Sequence, residues 1–578
     1  MQKKLLWKIG GEAGFGIMTT GLLFAKIASR MGYHIFDYHE YPSLIRGGHN
    51  TYEVFISDLE IHASQQHIDI LICLNKETYT LHKYRLSSTS LIVYDNNDFT
   101  IEENNGIKIS IPFKKILTEE KGIHIMLNNI ALGASLALMQ WDIDILGSII
   151  EKNFAKKGTD IVAQNKKVGE RGYNYIKDTF PSHINQNFPK KENQEKKMIL
   201  TGNDAFSIGA IVADCRLYSA YPMTPSSTIL TTLASYSEKV GMIVRHAEDE
   251  ISVINTALGS SWAGVRSAVG TSGGGFALMV ESLSFAGVAE IPLVIFLGQR
   301  PGPATGMPTW TEQGDLLFAV HAGHGEFPKI VLAPGDVDEM YQFTLLSFDL
   351  ADIYQTPVII ISDRFLCESH RSTSSLRFQS ICTSYQPQRG KITSSTHEQN
   401  YLRYQLSQDG ISPLLIPGQD GHFYQSNSYE HEEDGHTTEH ADSRIKQVDK
   451  RNKKLITYLK NHFKPPTVIG ELDATQIIFV SWGGNKGIIR EAMKLLKERG
   501  IETSYIHFTH LYPMDETKIK PFFQENKRYI LIENNSHAQL GKLIRQEIGI
   551  NITEKILKYD GRPFYPEEIA DYVIKIKK

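Results

Sequence analysis

The chain has 578 residues, of which 41% are hydrophobic and 22% charged, so it has room for about three to four domains of roughly 150 residues with real cores. A formal net charge of −4 leaves no basic footprint for DNA or RNA, and no stretch reaches the roughly 18 consecutive apolar residues of a membrane span. MQKKLLWKIGG runs into glycines too early for a signal peptide, and Cys73, Cys215, Cys367 and Cys382 form no C-x-x-C pair. The expectation is a cytoplasmic protein with no nucleic-acid or membrane partner and no disulfide framework, zinc site or iron–sulfur site of its own.

From the N-terminus, KLLWKIG reads as a strand, GGEAGFG as a turn, IMTTGLLFAKIASRMG as an apolar helix and YHIFDYHEY as a second strand. That is a βαβ opening, and IDILICLN and SLIVYD fit further parallel strands. Gly10, Gly11, Gly14 and Gly16 allow close backbone approach, and the following helix N-terminus favours an anion. The spacing departs from G-x-G-x-x-G, although Asp37 stands about where a ribose-binding acid would. A structural turn, or a site for another phosphate-bearing ligand, is therefore preferred to NAD or FAD. In YPSLIRGGHN, Arg46 stands beside Gly47 and Gly48, either as a cation able to meet a phosphate or carboxylate or as a solvated surface arginine. This block is taken as residues 1–186, followed by a polar, lysine-rich linker at 187–199.

The next block, 200–370, repeats the strand, turn and helix device. In AYPMTPSST, Pro222 and Pro225 bracket Thr224, remove two amides and push the preceding residues out of helical conformation, so the turn is rigid and rich in hydroxyls. In RHAEDEISVINTALGSSWAG, Ile251, Ile254, Leu258 and Trp262 recur at helical spacing and place Glu250 at the helix start. An acid there either caps the helix or, crowded with Glu248 and Asp249, gains a raised pKa suited to moving a proton. TSGGG follows the strand RSAVG and precedes a helix, a place for ligand approach at the carboxyl edge of a parallel sheet. IPLVIFLG delivers Gln299 and Arg300 into a loop stiffened by Pro301, Pro303 and Pro308, where Arg300 suits a carboxylate or a structural salt bridge.

Residues 371–465 turn polar and read as a loop-rich connector. Its His422, His431, His436 and His440 are irregularly spaced, which favours a solvated loop over a metal site. The last block, 466–578, alternates strands QIIFVSWG, TSYIHF and RYILIEN with the helix IIREAMKLLKERG. The expected class is α/β, with three parallel-sheet domains.

GND followed by AYPMTPSS, then EDEISVINTALGSSWAG, GTSGGG and QRPGPATGMPT, resembles the α-chain of the thiamine-diphosphate-dependent 2-oxoacid:ferredoxin oxidoreductases. GGEAGFG and LIRGGHN look like the γ-domain of that family, fused in front as in the 2-oxoglutarate enzymes, and SWGGNKG with IENNSHAQLGKL resembles its second α-domain. The resemblance implies a γ-type Rossmann-like domain, a pyrimidine-binding domain and a transketolase C-terminal-like domain. It makes Glu250 the carboxyl that meets the aminopyrimidine and promotes the tautomer that activates the thiazolium carbon. Ser272 and Gly273 would line the cofactor, Thr224 and Tyr221 would meet the 2-oxoacid end of the substrate, and Arg300 would bind its carboxylate. Arg46 and Gly47 would approach coenzyme A.

No GDG motif occurs in the chain, so the resemblance assigns Mg²⁺, the diphosphate half of the site and the [4Fe-4S] cluster to a β-subunit. A heterodimer or a dimer of heterodimers is implied, inactive as this chain alone, with ferredoxin as electron acceptor. Among substrates 2-oxoglutarate is favoured, with pyruvate and branched-chain 2-oxoacids open. A thiamine enzyme without electron transfer, and an NAD-binding redox or regulatory module built on GGEAGFG, are the competing readings.

Overall fold

The computed structural model describes residues 3–43, 47–184, 188–191, 195, 197–393, 401–419 and 423–577. They fall into two compact units, one of Met1–Leu200, Ser369–Ser375 and Tyr565–Lys578, the other of Thr201–Glu368 and Leu376–Phe564. The class is α/β.

The first unit is built on an eight-stranded sheet in the order Ile107–Ser110, Leu91–Tyr94, Ile70–Cys73, Lys4–Glu12, His49–Ser57, His34–Glu40, Arg371–Ser374, Lys197–Leu200. The run from Lys4–Glu12 to Ile107–Ser110 is parallel, as its apolar segments suggested. The remainder corrects the all-parallel expectation, because His49–Ser57 lies antiparallel between Lys4–Glu12 and His34–Glu40. The short link 41–48 cannot hold the crossover that a parallel neighbour needs, so the chain folds straight back. Residues 197–199, expected at the end of a linker, belong to a strand that pairs antiparallel with Arg371–Ser374.

Gly10 and Gly11 lie inside the first strand rather than in the turn, and a Cβ on Gly10 would stand 2.6 Å from the Thr78 side chain. Asp37 is fully buried. Its carboxylate accepts from the Tyr52 hydroxyl at 2.5 Å and from the His370 amide at 2.7 Å. It therefore holds the returning segment at 370 and offers nothing to a ribose.

The second unit contains a seven-stranded sheet in the order His510–Tyr512, Ile330–Leu332, Pro357–Asp363, Leu293–Gln299, Ser267–Ser272, Leu217–Ala220, Ile243–His246. All pairings are parallel except that of His510–Tyr512. The central strands Leu293–Gln299 and Pro357–Asp363 are buried at every residue, which is why they read as unbroken apolar runs. A five-stranded sheet, Thr467–Ile469, Thr503–Phe508, Ile477–Trp482, Arg528–Glu533, Glu554–Leu557, completes the unit.

Fully buried Gln313 ties the two sheets together. Its Nε2 donates to Asp363 Oδ2 at 3.2 Å and to the Trp482 carbonyl at 3.1 Å. Its Oε1 accepts from Asn485 Nδ2 at 3.0 Å and from the Asn534 amide at 3.1 Å.

The stretch expected as a loop-rich connector contains two substantial helices, Ser375–Ser384 and the 21-residue Ala441–Asn461. The buried stripe of the longer one is polar: Gln447, Lys450, Arg451, Lys454 and Tyr458. Lys450 and Lys454 each reach the buried Glu290 at 2.6 Å. The two ammonium groups hold the Glu290 carboxyl far below its ordinary range against the opposing effect of burial. An ion-paired inner face leaves no apolar periodicity to read.

Candidate active site

The expected site residues of the second unit gather at the carboxyl edge of the seven-stranded sheet. Tyr221 to Ser226 form the turn that leaves strand Leu217–Ala220. Asn203 Nδ2 donates to the Pro225 carbonyl at 2.7 Å, and a Cβ on Gly298 would stand 2.9 Å from Pro225 Cγ. The turn is thus seated on the end of strand Leu293–Gln299. The Thr224–Pro225 peptide is cis, Thr224 is half-buried and Tyr221 is 40% exposed.

Arg300, at the end of that strand, donates from Nη1 to the Thr224 carbonyl at 2.8 Å. The two residues are brought together, through the backbone of Thr224 rather than its hydroxyl. This contact uses one arm of the guanidinium fork.

Glu250 opens helix Glu250–Trp262, but Asp249 is the cap, accepting from the Ser252 amide at 2.8 Å. The capping role is therefore taken by the neighbour, and Glu250 turns inward with 4% exposure. Its Oε1 is buried without a hydrogen-bond partner. Burial raises its carboxyl pKa first, and the charge of Asp249 adds to the effect. Crowding by all three acids is corrected: Glu248 lies on the surface, where it faces Arg245 at 3.9 Å. The helix face is corrected as well. Val253, Ile254, Ala257, Leu258 and Ser261 are buried, while Ile251 is 51% exposed.

Strand Ser267–Ser272 passes directly into helix Gly273–Val288. Ser272 is fully buried and its Oγ has no partner. The glycines that follow leave room for acids. A Cβ on Gly275 would lie 2.4 Å from Glu250 Oε1 and 2.2 Å from Thr271 Oγ1, and one on Gly273 would lie 2.6 Å from Asp315 Oδ2.

Asp315 and its neighbour Glu312 were not anticipated. Burial, with the like charge of Asp315, lifts Glu312 to about 7. Burial lifts Asp315 to about 6 against the opposing charge of Arg300. The signal available in the sequence was two acids in TEQGDL, directly after the proline loop that follows Arg300.

Of the expected coenzyme A residues, Arg46 lies outside the described residues. Gly47 belongs to the first unit, is exposed, and has φ of 78° with open space where a Cβ would be. His422 also lies outside the described residues. His431, expected in a solvated loop, is buried against the Tyr404 ring with centroids 3.9 Å apart, while His436 pairs with Asp434 at 3.0 Å. Among the described residues no group of three His, Cys, Asp or Glu could hold a metal, and no helix is long and apolar enough to cross a membrane.

Residues 208–450 match the family model described as pyruvate flavodoxin/ferredoxin oxidoreductase, thiamine diphosphate-binding, and residues 6–175 match that of pyruvate ferredoxin/flavodoxin oxidoreductase. A 2-oxoacid:ferredoxin oxidoreductase subunit alpha from Sulfolobus sp. is 31% identical over 100% of this chain and 97% of its own length. The chain belongs to the family of 2-oxoacid:ferredoxin oxidoreductase α-subunits. A 2-oxoglutarate synthase subunit KorA from Methanothermobacter thermautotrophicus is 29% identical over 66% of this chain and 100% of its own. The structure of 2-oxoglutarate:ferredoxin oxidoreductase from Magnetococcus marinus with 2-oxoglutarate, coenzyme A and succinyl-CoA bound is similar with a TM-score of 0.91 at 30% identity, covering 100% of both chains. Family membership makes this chain part of an oxidoreductase with a thiamine diphosphate-binding domain.

Proposed function

We propose that the chain is the α-subunit of an enzyme that oxidatively decarboxylates a 2-oxoacid with coenzyme A, yielding an acyl-CoA, CO2 and reduced ferredoxin, with 2-oxoglutarate as the favoured substrate. The observation that carries the reading is the buried, unpartnered Oε1 of Glu250 against a glycine turn. An unsatisfied buried polar atom costs about 1–3 kcal/mol, which a ligand nitrogen at that oxygen removes. The aminopyrimidine of thiamine diphosphate is such a ligand, and the residues present fit it. When bound, the cofactor supplies the nucleophilic carbon and the electron sink of the decarboxylation.

The chain's own residues do the rest of the work on this side of the site. Glu250, raised by burial, keeps a proton on its carboxyl closer to neutrality than a solvated glutamate does and offers it to the pyrimidine ring. Ser272 brings a free hydroxyl and Gly273 a bare backbone to the same edge. Arg300, steadied by the Thr224 carbonyl, presents its remaining N–H groups to the substrate carboxylate. Thr224 and Tyr221 border the reacting end, Tyr221 from the more exposed position. Arg46 and Gly47 are assigned to coenzyme A, in keeping with the exposed turn at Gly47.

Mg²⁺, the diphosphate contacts and the [4Fe-4S] cluster are assigned to a β-subunit, since the chain has no GDG and no C-x-x-C motif. The working enzyme is then a cytoplasmic heterodimer or dimer of heterodimers. The preference for 2-oxoglutarate rests on the names of the KorA relative and of the Magnetococcus marinus enzyme. The test is co-expression with the β-subunit, loading of cluster and cofactor, and assay of several 2-oxoacids for coenzyme A-dependent reduction of an artificial acceptor. Activity greatest on 2-oxoglutarate is expected, and no activity on any 2-oxoacid would refute the proposal.

A further inference from the structure

Helix Gly273–Val288 carries the glycine turn of the candidate site at one end and the wall of a separate cleft at the other. From Gly273 to Ser284, the first buried residue of that wall, the helix rises about 17 Å. The cleft lies in the second unit and has a volume of about 340 Å³, the size of a small-molecule site. Three segments far apart in sequence enclose it: the last turns of helix Gly273–Val288, the loop 322–328, and helix Ala441–Asn461 with the residues just before it.

Its apolar part, Phe285, Val288 and Phe327, is fixed by close packing. The Phe327 ring is wedged against two glycines, since a Cβ on Gly287 would stand 2.5 Å from it and one on Gly323 2.6 Å. Buried Ser284 ties the loop to the helix, its Oγ accepting from the His324 amide at 2.8 Å and donating to the Val280 carbonyl at 3.2 Å. On the side of helix Ala441–Asn461, Arg451 is 3% exposed and grips Glu430 with both Nη atoms, at 2.9 and 2.8 Å. Arg444 reaches the same carboxylate through Nη1 alone and leaves the rest of its guanidinium open. Glu281 and Glu326 also line the cleft, and among the described residues neither has an ion-pair partner.

The charges inside the Glu430 cluster are therefore spent on one another, apart from the open arm of Arg444. What the cleft offers a ligand is one guanidinium, two carboxylates and an apolar bed between them. The complement is one carboxylate and two ammonium groups on a short hydrocarbon stem. We propose that this cleft is a second ligand site, separate from the catalytic edge, for a diamino acid of the lysine type. The carboxylate takes the open N–H groups of Arg444, the two ammonium groups take Glu281 and Glu326, and the methylene stem lies on Phe285, Val288 and Phe327. No covalent bond changes, and the site stands whether or not the catalytic reading does.

The experiment is calorimetric titration of the full chain, alone and in the complete α/β complex, with L-lysine and three analogues that each lack one group. Norleucine lacks the terminal ammonium, 6-aminohexanoate the α-ammonium and cadaverine the carboxylate. Saturable one-to-one binding of lysine is expected, with each analogue weaker by about tenfold or more, as for the loss of a charge-assisted hydrogen bond. Arg444→Gln should weaken lysine and leave cadaverine unchanged, because cadaverine has no carboxylate to lose. Glu281→Gln with Glu326→Gln should weaken both. All three side chains are exposed, and Arg451 still holds Glu430 when Arg444 is replaced, so thermal melts of the variants should match wild type. No binding of lysine at millimolar concentration overturns the proposal, as does an analogue that binds as tightly as lysine or a variant that binds like wild type. Binding to the chain alone that is lost in the complex overturns it too, and makes the cleft a contact with the β-subunit.

Discussion

Gly275→Ala separates the catalytic geometry from stability. The added methyl would stand 2.4 Å from Glu250 Oε1 and 2.2 Å from Thr271 Oγ1, distances at which something must shift. Thr271 is fully buried in a central strand, so the longer Glu250 side chain is the group that yields. Overpacking of this kind costs about 1–3 kcal/mol, while alanine in place of glycine in a helix returns about 1 kcal/mol, leaving a net loss of about 0–2 kcal/mol. For a unit of this size that is a fall in Tm of at most a few degrees. Activity should suffer far more. Displacing a catalytic group by about 1 Å reduces turnover by about 100-fold. The assay is kcat of the loaded α/β complex beside a thermal melt of the same preparation. Wild-type kcat in a folded Gly275→Ala complex would show that the Glu250 carboxyl has no required position, and the argument built on its free oxygen would fail.

Glu250→Gln keeps the shape and removes the titrating proton, so kcat should fall by about 100- to 10,000-fold with assembly unchanged, measured by steady-state turnover and size-exclusion chromatography. Arg300→Ala should act mainly on KM; a half-buried arginine places the effect near the lower end of the range for a broken charged pair, about 2 kcal/mol or about 30-fold, and an unchanged KM would make Arg300 structural. In the first unit, Lys8 and Arg85 hold the buried Glu53 at about 2, below the 4.5 of an unperturbed glutamate, even though burial pushes the other way. Because the folded value is depressed, this carboxylate stabilises the protein fully above about 4.5 and loses that contribution as pH falls towards 2; Glu53→Gln should flatten the acid limb of a denaturant-midpoint profile and, by stranding two buried cations, cost about 3–5 kcal/mol at neutral pH.

What was legible in the sequence was whatever depends on local pattern. Strands buried on both faces announce themselves as apolar runs, so Leu293–Gln299 and its neighbours, the helix starting at Glu250 and the edge carrying Ser272, Gly273 and Arg300 could be read from spacing and turn chemistry. Helix Ala441–Asn461 escaped because its inner face is made of lysines and an arginine, whose partner Glu290 is remote in sequence. The outward turn of Ile251 escaped because an exposed apolar residue looks the same on paper as a buried one.

Residue types by themselves determined which chemistry is available: a carboxyl at a helix start, an arginine at a strand end, glycines between strand and helix. Only the tertiary structure decided how those groups are used. Asp249 takes the cap and frees Glu250, the Thr224 carbonyl engages one arm of Arg300, and the loop that follows folds back to set Asp315 against Gly273. These outcomes depend on burial and on distances between segments far apart in the chain, and burial is what shifts a carboxyl group from an ordinary surface acid to one that holds its proton near neutrality.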